Sequence, residues 1–194
     1  MKLSIPAAFF IILSFCAFAC EGGEKTELSH SVAIADTLEG EAYEEIRVSS
    51  TVFIHEGMIP VRYTCDGEDS APELLWKNLP DSTESLALIC DDPDAPGGTW
   101  VHWVVYNISP ADTSLSMIEA DSSSEFVRGE NSWGKLGYGG PCPPSGTHRY
   151  FFQLYALDCE LELEEGATRE EVLKSMKGHV LGYGEIMGKY HRQN

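Results

Sequence analysis

Three runs of β-branched, aromatic and other apolar residues dominate the middle of the chain. They span 85–90, 100–108 and 148–157, and loops containing Pro or Gly bound each of them. Runs of this length and composition, with turn residues at both ends, are typical of β-strands. Two further strands are predicted at 46–54, where apolar residues alternate along the run, and at 74–76.

One helix is clearly indicated near the end of the chain. Thr168 and Glu171 have the spacing of a capping box, an apolar stripe follows, and Gly178 is a suitable stop. The segment 180–190 contains three glycines, which predict a short strand or an irregular run. Many strands and few helices predict a mainly β domain over residues 46–194.

The first 45 residues predict a targeting segment and a tether. An apolar run and an Ala-Phe-Ala cleavage sequence indicate a signal peptide over 1–19. Cys20 follows at once, as in bacterial lipoproteins, although Ala17 stands where Leu is usual. The alternative is secretion after cleavage at Ala19. Residues 21–45 hold eight acids and one Lys, which predicts a solvated tether.

This N-terminus predicts a cell-envelope protein, either secreted or anchored to a bacterial membrane by lipid on Cys20. The formal net charge is −18. Nucleic-acid binding needs a basic face, so the charge argues against a nucleic-acid partner.

Two stiff segments carry the residues suited to a binding site. Asp-Asp-Pro-Asp-Ala-Pro at 91–96 precedes His102, and a Gly- and Pro-rich loop at 137–146 precedes His148 and Tyr150. If their strands are neighbours in a sheet, these groups converge. An Asp beside a His favours the charged imidazolium, and Gly-rich backbone offers free N–H groups. The pattern therefore predicts a small anion site, with phosphate as the first candidate.

Several alternatives remain open at this point. Two Asp in a Pro-rich turn are commonly turn formers, and the Gly/Pro loop could be only a tight connection. Two Asp and two His could hold a metal, but their spacing is not that of a known metal motif. We predict no metal and no cofactor. Ser145 could be proposed as a nucleophile, but the chain has no Gly-x-Ser-x-Gly elbow.

The two segments resemble the signature blocks of a known family. Asp-Pro-Asp-Ala-Pro at 92–96 with His-Trp at 102–103, and Gly-Pro-Cys-Pro-Pro-Ser-Gly-Thr-His-Arg-Tyr at 140–150, look like those of the phosphatidylethanolamine-binding protein family. The closer match is the bacterial and archaeal branch, often described as Raf-kinase-inhibitor-like. The resemblance extends from about residue 46 to residue 190.

The resemblance implies a central antiparallel sheet packed by a smaller sheet, with few peripheral helices and a shallow anion-binding cavity. It also implies a cis peptide bond before Pro96. The chain ends soon after residue 190, so we expect a cavity more open than in animal members. Carried over by position, the ligand-binding residues are Asp92, Asp94, His102, Tyr138, Gly140, Pro143, Pro144, His148 and Tyr150.

The resemblance also bears on which cysteines form disulfides. Cys65 and Cys142 lie in loops expected at the cavity rim, and we predict a disulfide between them. Cys90 and Cys159 stand where bacterial relatives tend to have other residues, and they suggest a second bridge. A disulfide requires Cα atoms within about 7 Å.

The function implied is a non-enzymatic binding protein. Its pocket would take a phosphate-like or phosphorylethanolamine-like group, and it could act as a kinase- or protease-inhibitor-like regulator. The alternative is a small-molecule enzyme that uses Asp92, Asp94 and His148 as acid–base groups. A third reading is protease inhibition through the surface loop 110–124. Dimers in the family also make a homodimer an option.

Overall fold

The computed structural model describes residues 43–115 and 126–192. The predicted signal peptide, Cys20, most of the tether and positions 116–124 of the loop 110–124 lie outside the described residues. In the described part, no helix is long and apolar enough to cross a membrane. The elements in chain order are β1 (Glu44–Glu45), β2 (Arg47–Ser50), a 3-10 turn (Val61–Tyr63), β3 (Leu74–Lys77), β4 (Ser85–Asp92), β5 (Trp100–Ile108), β6 (Ser114–Leu115), β7 (Val127–Arg128), β8 (His148–Leu157), α1 (Arg169–Met176) and β9 (Val180–Tyr190).

The large sheet has six strands in the order β1-β9-β8-β4-β5-β7, and the small sheet has the order β2-β3-β6. All ladders are antiparallel except that of β1 with β9, which is parallel. The predicted mainly β fold with two sheets is confirmed. The sheet begins at Glu44, two residues before the predicted domain boundary.

The large sheet is covered on both faces, which explains the continuous apolar run at 86–90 in β4. One face packs on the small sheet through a core that includes Trp76 and Phe152. The other packs on α1 through Val172 and Met176. A strand buried on both faces does not alternate between apolar and polar residues, and all eight residues of β4 are buried.

The bounds predicted for β5 are those observed, as are those for β8. The capping box is also present, because the Thr168 side chain accepts from the Glu171 amide and Glu171 bonds back to Thr168. A strand was one of the two predictions for 180–190 and is confirmed, but its predicted short length was wrong, because β9 runs over eleven residues. Its glycines serve close packing: a Cβ on Gly184 would lie 2.0 Å from the Ile46 carbonyl oxygen.

Two other expectations for the backbone were wrong. The strand predicted at 46–54 is present but was predicted too long: it is formed only over Arg47–Ser50, the chain bends at 51–52, and Ile54 is 78% exposed. No cis peptide bond occurs in 43–115 or 126–192, so the bond before Pro96 is trans. The turn there closes instead through a hydrogen bond from the Gly98 amide to the Ala95 carbonyl, at 3.1 Å.

One of the two predicted disulfides is present. Cys65 and Cys142 are bonded, with Cα atoms 5.4 Å apart. The Cys90–Cys159 bridge was wrong, and both thiols are free. Cys90 lies opposite Phe152 in the ladder and packs between the two sheets. Cys159 lies seven residues beyond Phe152, about 23 Å away at the rise of a strand, and it contacts the core on the helix side.

Candidate functional site

A cavity of about 230 Å³ opens where β4 ends and β5 and β8 begin. Because β4 is antiparallel to both neighbours, its last residues lie at the same end of the sheet as the first residues of β5 and β8. The cavity is lined by five of the predicted residues, Asp92, His102, Pro143, Pro144 and His148. The remaining lining residues are Ala95, Pro96, Trp100, Trp133 and Cys142.

Asp92 orients His148. Its Oδ2 lies 2.7 Å from the histidine Nδ1, and its Oδ1 accepts from the Asp94 amide at 2.8 Å. Burial raises the pKa of Asp92, although the bonds from His148 and Asp94 oppose that rise. With Nδ1 occupied, Nε2 is the ring nitrogen of His148 that bonds to no protein atom in the described part of the chain.

His102 is held differently. Its Nδ1 lies 2.6 Å from the Gly139 carbonyl oxygen, while the Gly139 amide donates to the His102 carbonyl at 2.9 Å. This reciprocal pair ties the Gly/Pro loop to β5. Burial lowers the pKa of His102 from 6.5 to about 4, and the bond to Gly139 only partly offsets that. The expectation of a charged imidazolium was therefore wrong for His102, which is neutral at neutral pH.

The lowered pKa of His102 predicts that the free energy of unfolding depends on pH. Below its ordinary pKa, His102 takes up a proton in the unfolded chain but not in the folded one, so acidification favours unfolding. The free energy of unfolding should fall by about 2 kcal/mol between about pH 7 and about pH 5 through this group alone. Urea unfolding at both pH values measures it. The variant His102→Gln should lose that part of the pH dependence; an unchanged slope in the variant would contradict the assignment.

Tyr150 packs against His102. Its ring meets that of His102 edge-on, with centroids 5.1 Å apart. The residue is fully buried, and its hydroxyl has no hydrogen-bond partner among the described residues. Burial raises the pKa of this phenol. Tyr150 is therefore a neutral donor with an unmet hydrogen bond, which is costly unless something accepts it.

Asp94, predicted to bind ligand, is engaged by Arg149. Its Oδ2 accepts from the Arg149 amide and Nε, both at 2.9 Å, and its Oδ1 from Nη2 at 2.7 Å. Burial acts to raise the pKa of Asp94, but the bonds from Arg149 outweigh it and the net pKa is lowered. This ion pair fastens the 92–98 turn to the start of β8.

Tyr138 and Gly140 also have protein partners for their polar groups. The Tyr138 hydroxyl donates to the Tyr63 carbonyl at 2.9 Å, and the Gly140 amide donates to Asp69 Oδ1 at 2.7 Å. A Cβ on Gly140 would lie 2.8 Å from the Thr64 Cα. The loop's glycine is thus required by close packing, and its amide does not point freely into the cavity as the free N–H groups were expected to.

Sequence reasoning missed the aromatic rim. Trp133 meets Trp100 edge-on at 5.4 Å and His102 at 5.1 Å. Asn131 holds Trp133 in place, since its Oδ1 accepts from the Trp133 amide at 3.0 Å and its Nδ2 donates to the Gly137 carbonyl at 3.0 Å. The sequence around 126–133 has no clear periodicity, so nothing local predicted this position.

A two-sheet β domain with a small polar and aromatic cavity at its strand ends is the architecture of a class of binding proteins. The chain belongs to the phosphatidylethanolamine-binding protein family, whose model matches residues 49–191. This confirms the family that the two sequence segments resembled.

Three relatives illustrate the match. The UPF0098 protein of Methanothermobacter thermautotrophicus is 52% identical over 150 residues, covering 76% of this chain and 99% of that protein. CT736 of Chlamydia trachomatis, described as a homologue of the family, has a TM-score of 0.72 at 38% identity, covering 77% of this chain and 99% of that one. YbcL of E. coli has a TM-score of 0.71 at 28% identity, covering 76% and 99%.

Proposed function

We propose that the cavity binds a small phosphate-like group, of the kind carried by phosphorylethanolamine. The observation that carries the proposal is the held imidazole of His148. Asp92 fixes one ring nitrogen and leaves Nε2 for a ligand on the cavity wall. A protonated His148 donates a charge-assisted hydrogen bond from Nε2, and such bonds to phosphate oxygens are among the strong ones.

The charges around the cavity are compatible with an anion. The negative charges of Asp92 and Asp94 face His148 and Arg149 respectively, at 2.7 Å in each case. A ligand oxygen at the cavity wall would meet the His148 Nε2, while each of the two carboxylates is already bonded to a nitrogen of a neighbouring side chain.

The size of the cavity and the aromatic residues at its rim favour a phosphoester over a large ligand. A volume of about 230 Å³ lies below the roughly 300–1,000 Å³ of pockets for drug-sized molecules. At the rim, Trp100 is 37% exposed and Trp133 is 41% exposed. Exposed indole faces attract ammonium groups and apolar substituents. The anionic end would therefore lie by His148 and the substituent against the tryptophans.

The test is calorimetric titration of the full-length protein with phosphate, phosphorylethanolamine and acetate. His148→Asn should weaken binding of the phosphate-bearing ligands at least about tenfold, because a charge-assisted bond contributes on the order of 1.5–3 kcal/mol. His179→Asn is the matched control, since it removes an exposed histidine beyond the opposite end of β8. Equal affinity in wild type and His148→Asn would refute the proposal.

The Asp92–His148 pair also suits acid–base catalysis, which gives a second candidate. In that function, Asp92 and His148 would transfer a proton to or from a bound phosphoester. Long incubation with phosphorylethanolamine separates the two functions. A binding protein leaves the ligand unchanged. An enzyme converts it to product, and His148→Asn abolishes that conversion.

A further inference from the structure

At the end of β8 remote from the cavity, three side chains with metal-binding atoms lie together. They are Asp158, Cys159 and His179, and one ligand atom from each lies within 4.8 Å of the other two. The first two follow the last residue of β8, and His179 precedes the first residue of β9. We propose that these three residues form a site for a transition-metal ion of the Zn²⁺ type.

The donor set selects the class of ion. A thiolate, an imidazole and a carboxylate together suit Zn²⁺ and its spectroscopic substitute Co²⁺, whereas Mg²⁺ and Ca²⁺ take oxygen ligands. Zinc sites with three protein ligands keep the fourth position for water. The side chains of His179 and Asp158 are each 46% exposed, so water reaches the site.

The geometry needs little adjustment. With bonds of about 2.0–2.3 Å, ligand atoms around a tetrahedral Zn²⁺ lie roughly 3–4 Å apart. The His179 Nδ1 and Asp158 Oδ1 now share a hydrogen bond of 2.8 Å. A metal ion would replace the hydrogen between them, and the Cys159 thiol would release its proton to solvent on binding.

The main chain holds the two segments in register. The Asp158 amide donates to the His179 carbonyl at 3.1 Å, and the Ser85 hydroxyl donates to the Cys159 carbonyl at 2.5 Å. A cation at this position would therefore bind beside the Asp158 carboxylate and the His179 imidazole, on a backbone that is already ordered.

An exposed Asp–His ion pair is the alternative, and such surface pairs contribute little to stability. That ion pair would form without the Cys159 thiol. The decisive observation is therefore whether Cys159 binds the ion, which Co²⁺ reports directly because a cobalt–thiolate bond gives a charge-transfer absorption band.

The experiment uses the full-length protein with Cys16→Ser and Cys20→Ser, kept under non-reducing conditions. Titration with Co²⁺ should give the thiolate band at one ion per chain, and Zn²⁺ should abolish it. Cys159→Ser should remove the band, and His179→Asn should raise the dissociation constant at least about tenfold. Cys90→Ala is the matched control and should leave the band unchanged.

Three outcomes would overturn the site: no thiolate band in the parent protein, a band that survives Cys159→Ser, or a band lost in Cys90→Ala. Asp158, Cys159 and His179 are at the surface or partly exposed, so the variants should fold. Far-UV circular dichroism of each variant checks this. Phosphate titration of the same variants separates this site from the cavity, since neither Cys159→Ser nor His179→Asn should alter anion affinity.

Discussion

Replacing Cys65 and Cys142 together by Ser is expected to lower the free energy of unfolding by about 4 kcal/mol. The disulfide joins positions 77 residues apart. Closing a loop of that length removes denatured-state entropy worth about 4.5 kcal/mol in the chain-entropy model. The loss should appear as a lower urea midpoint, with a steeper slope because the unconstrained denatured chain exposes more surface. Equilibrium unfolding of the oxidised wild type and the double variant measures both.

The control is Cys159→Ser, which removes a partly exposed free thiol and should change the midpoint little. A loss below about 1 kcal/mol in the double variant would show that the denatured chain is already constrained by other means. Cys142 also lines the cavity. The double variant should therefore bind phosphate more weakly as well, because the loop carrying Pro143 and Pro144 loses its covalent link to the 63–67 segment.

Local sequence information was enough for the elements whose identity depends on composition. The runs at 100–108 and 148–157 are rich in β-branched and aromatic residues, and their bounds came out as predicted. The glycines of β9 misled the prediction because glycine usually interrupts a strand. What requires them is the approach of a distant segment: Ile46 lies where a side chain on Gly184 would have to be.

The candidate site, like the fold, was predicted only in part from the sequence. Asp92, His102 and His148 were singled out by residue type, but only the family resemblance placed them in one pocket. Their protonation states depend on burial, which local sequence does not give. His102 was expected to be charged and is neutral because the sheet and loop enclose it. Trp133 was missed since its position depends on a turn organised by Asn131.

The most buried charge pair among the described residues was also invisible in the sequence. Asp91 and Asp92 are consecutive on β4, so their side chains point to opposite faces of the sheet. Asp92 lines the cavity, whereas Asp91 is completely buried under α1. There it meets Arg169, with Nε at 3.0 Å and Nη2 at 2.9 Å from Oδ2, and Gln153 at 3.0 Å from Oδ1. The pair spans 78 positions of sequence.

Arg169→Met is expected to destabilise the protein by about 3–5 kcal/mol, because it leaves a buried carboxylate without its guanidinium partner. Arg62→Met is the control: Arg62 and Glu68 form an ion pair with both side chains 63% exposed, worth at most about 1 kcal/mol. Urea unfolding measures both.

The double variant Asp91→Asn, Arg169→Met should recover most of that loss, since Asn removes the buried charge while keeping an oxygen for Gln153. Recovery would show that the penalty of Arg169→Met is the uncompensated charge. If the double variant is as unstable as the single one, the contribution of Arg169 is instead its packing at the start of α1. In either case phosphate affinity of the folded double variant should stay near the wild-type value, because Asp91 and Asp92 act on opposite faces of the same strand.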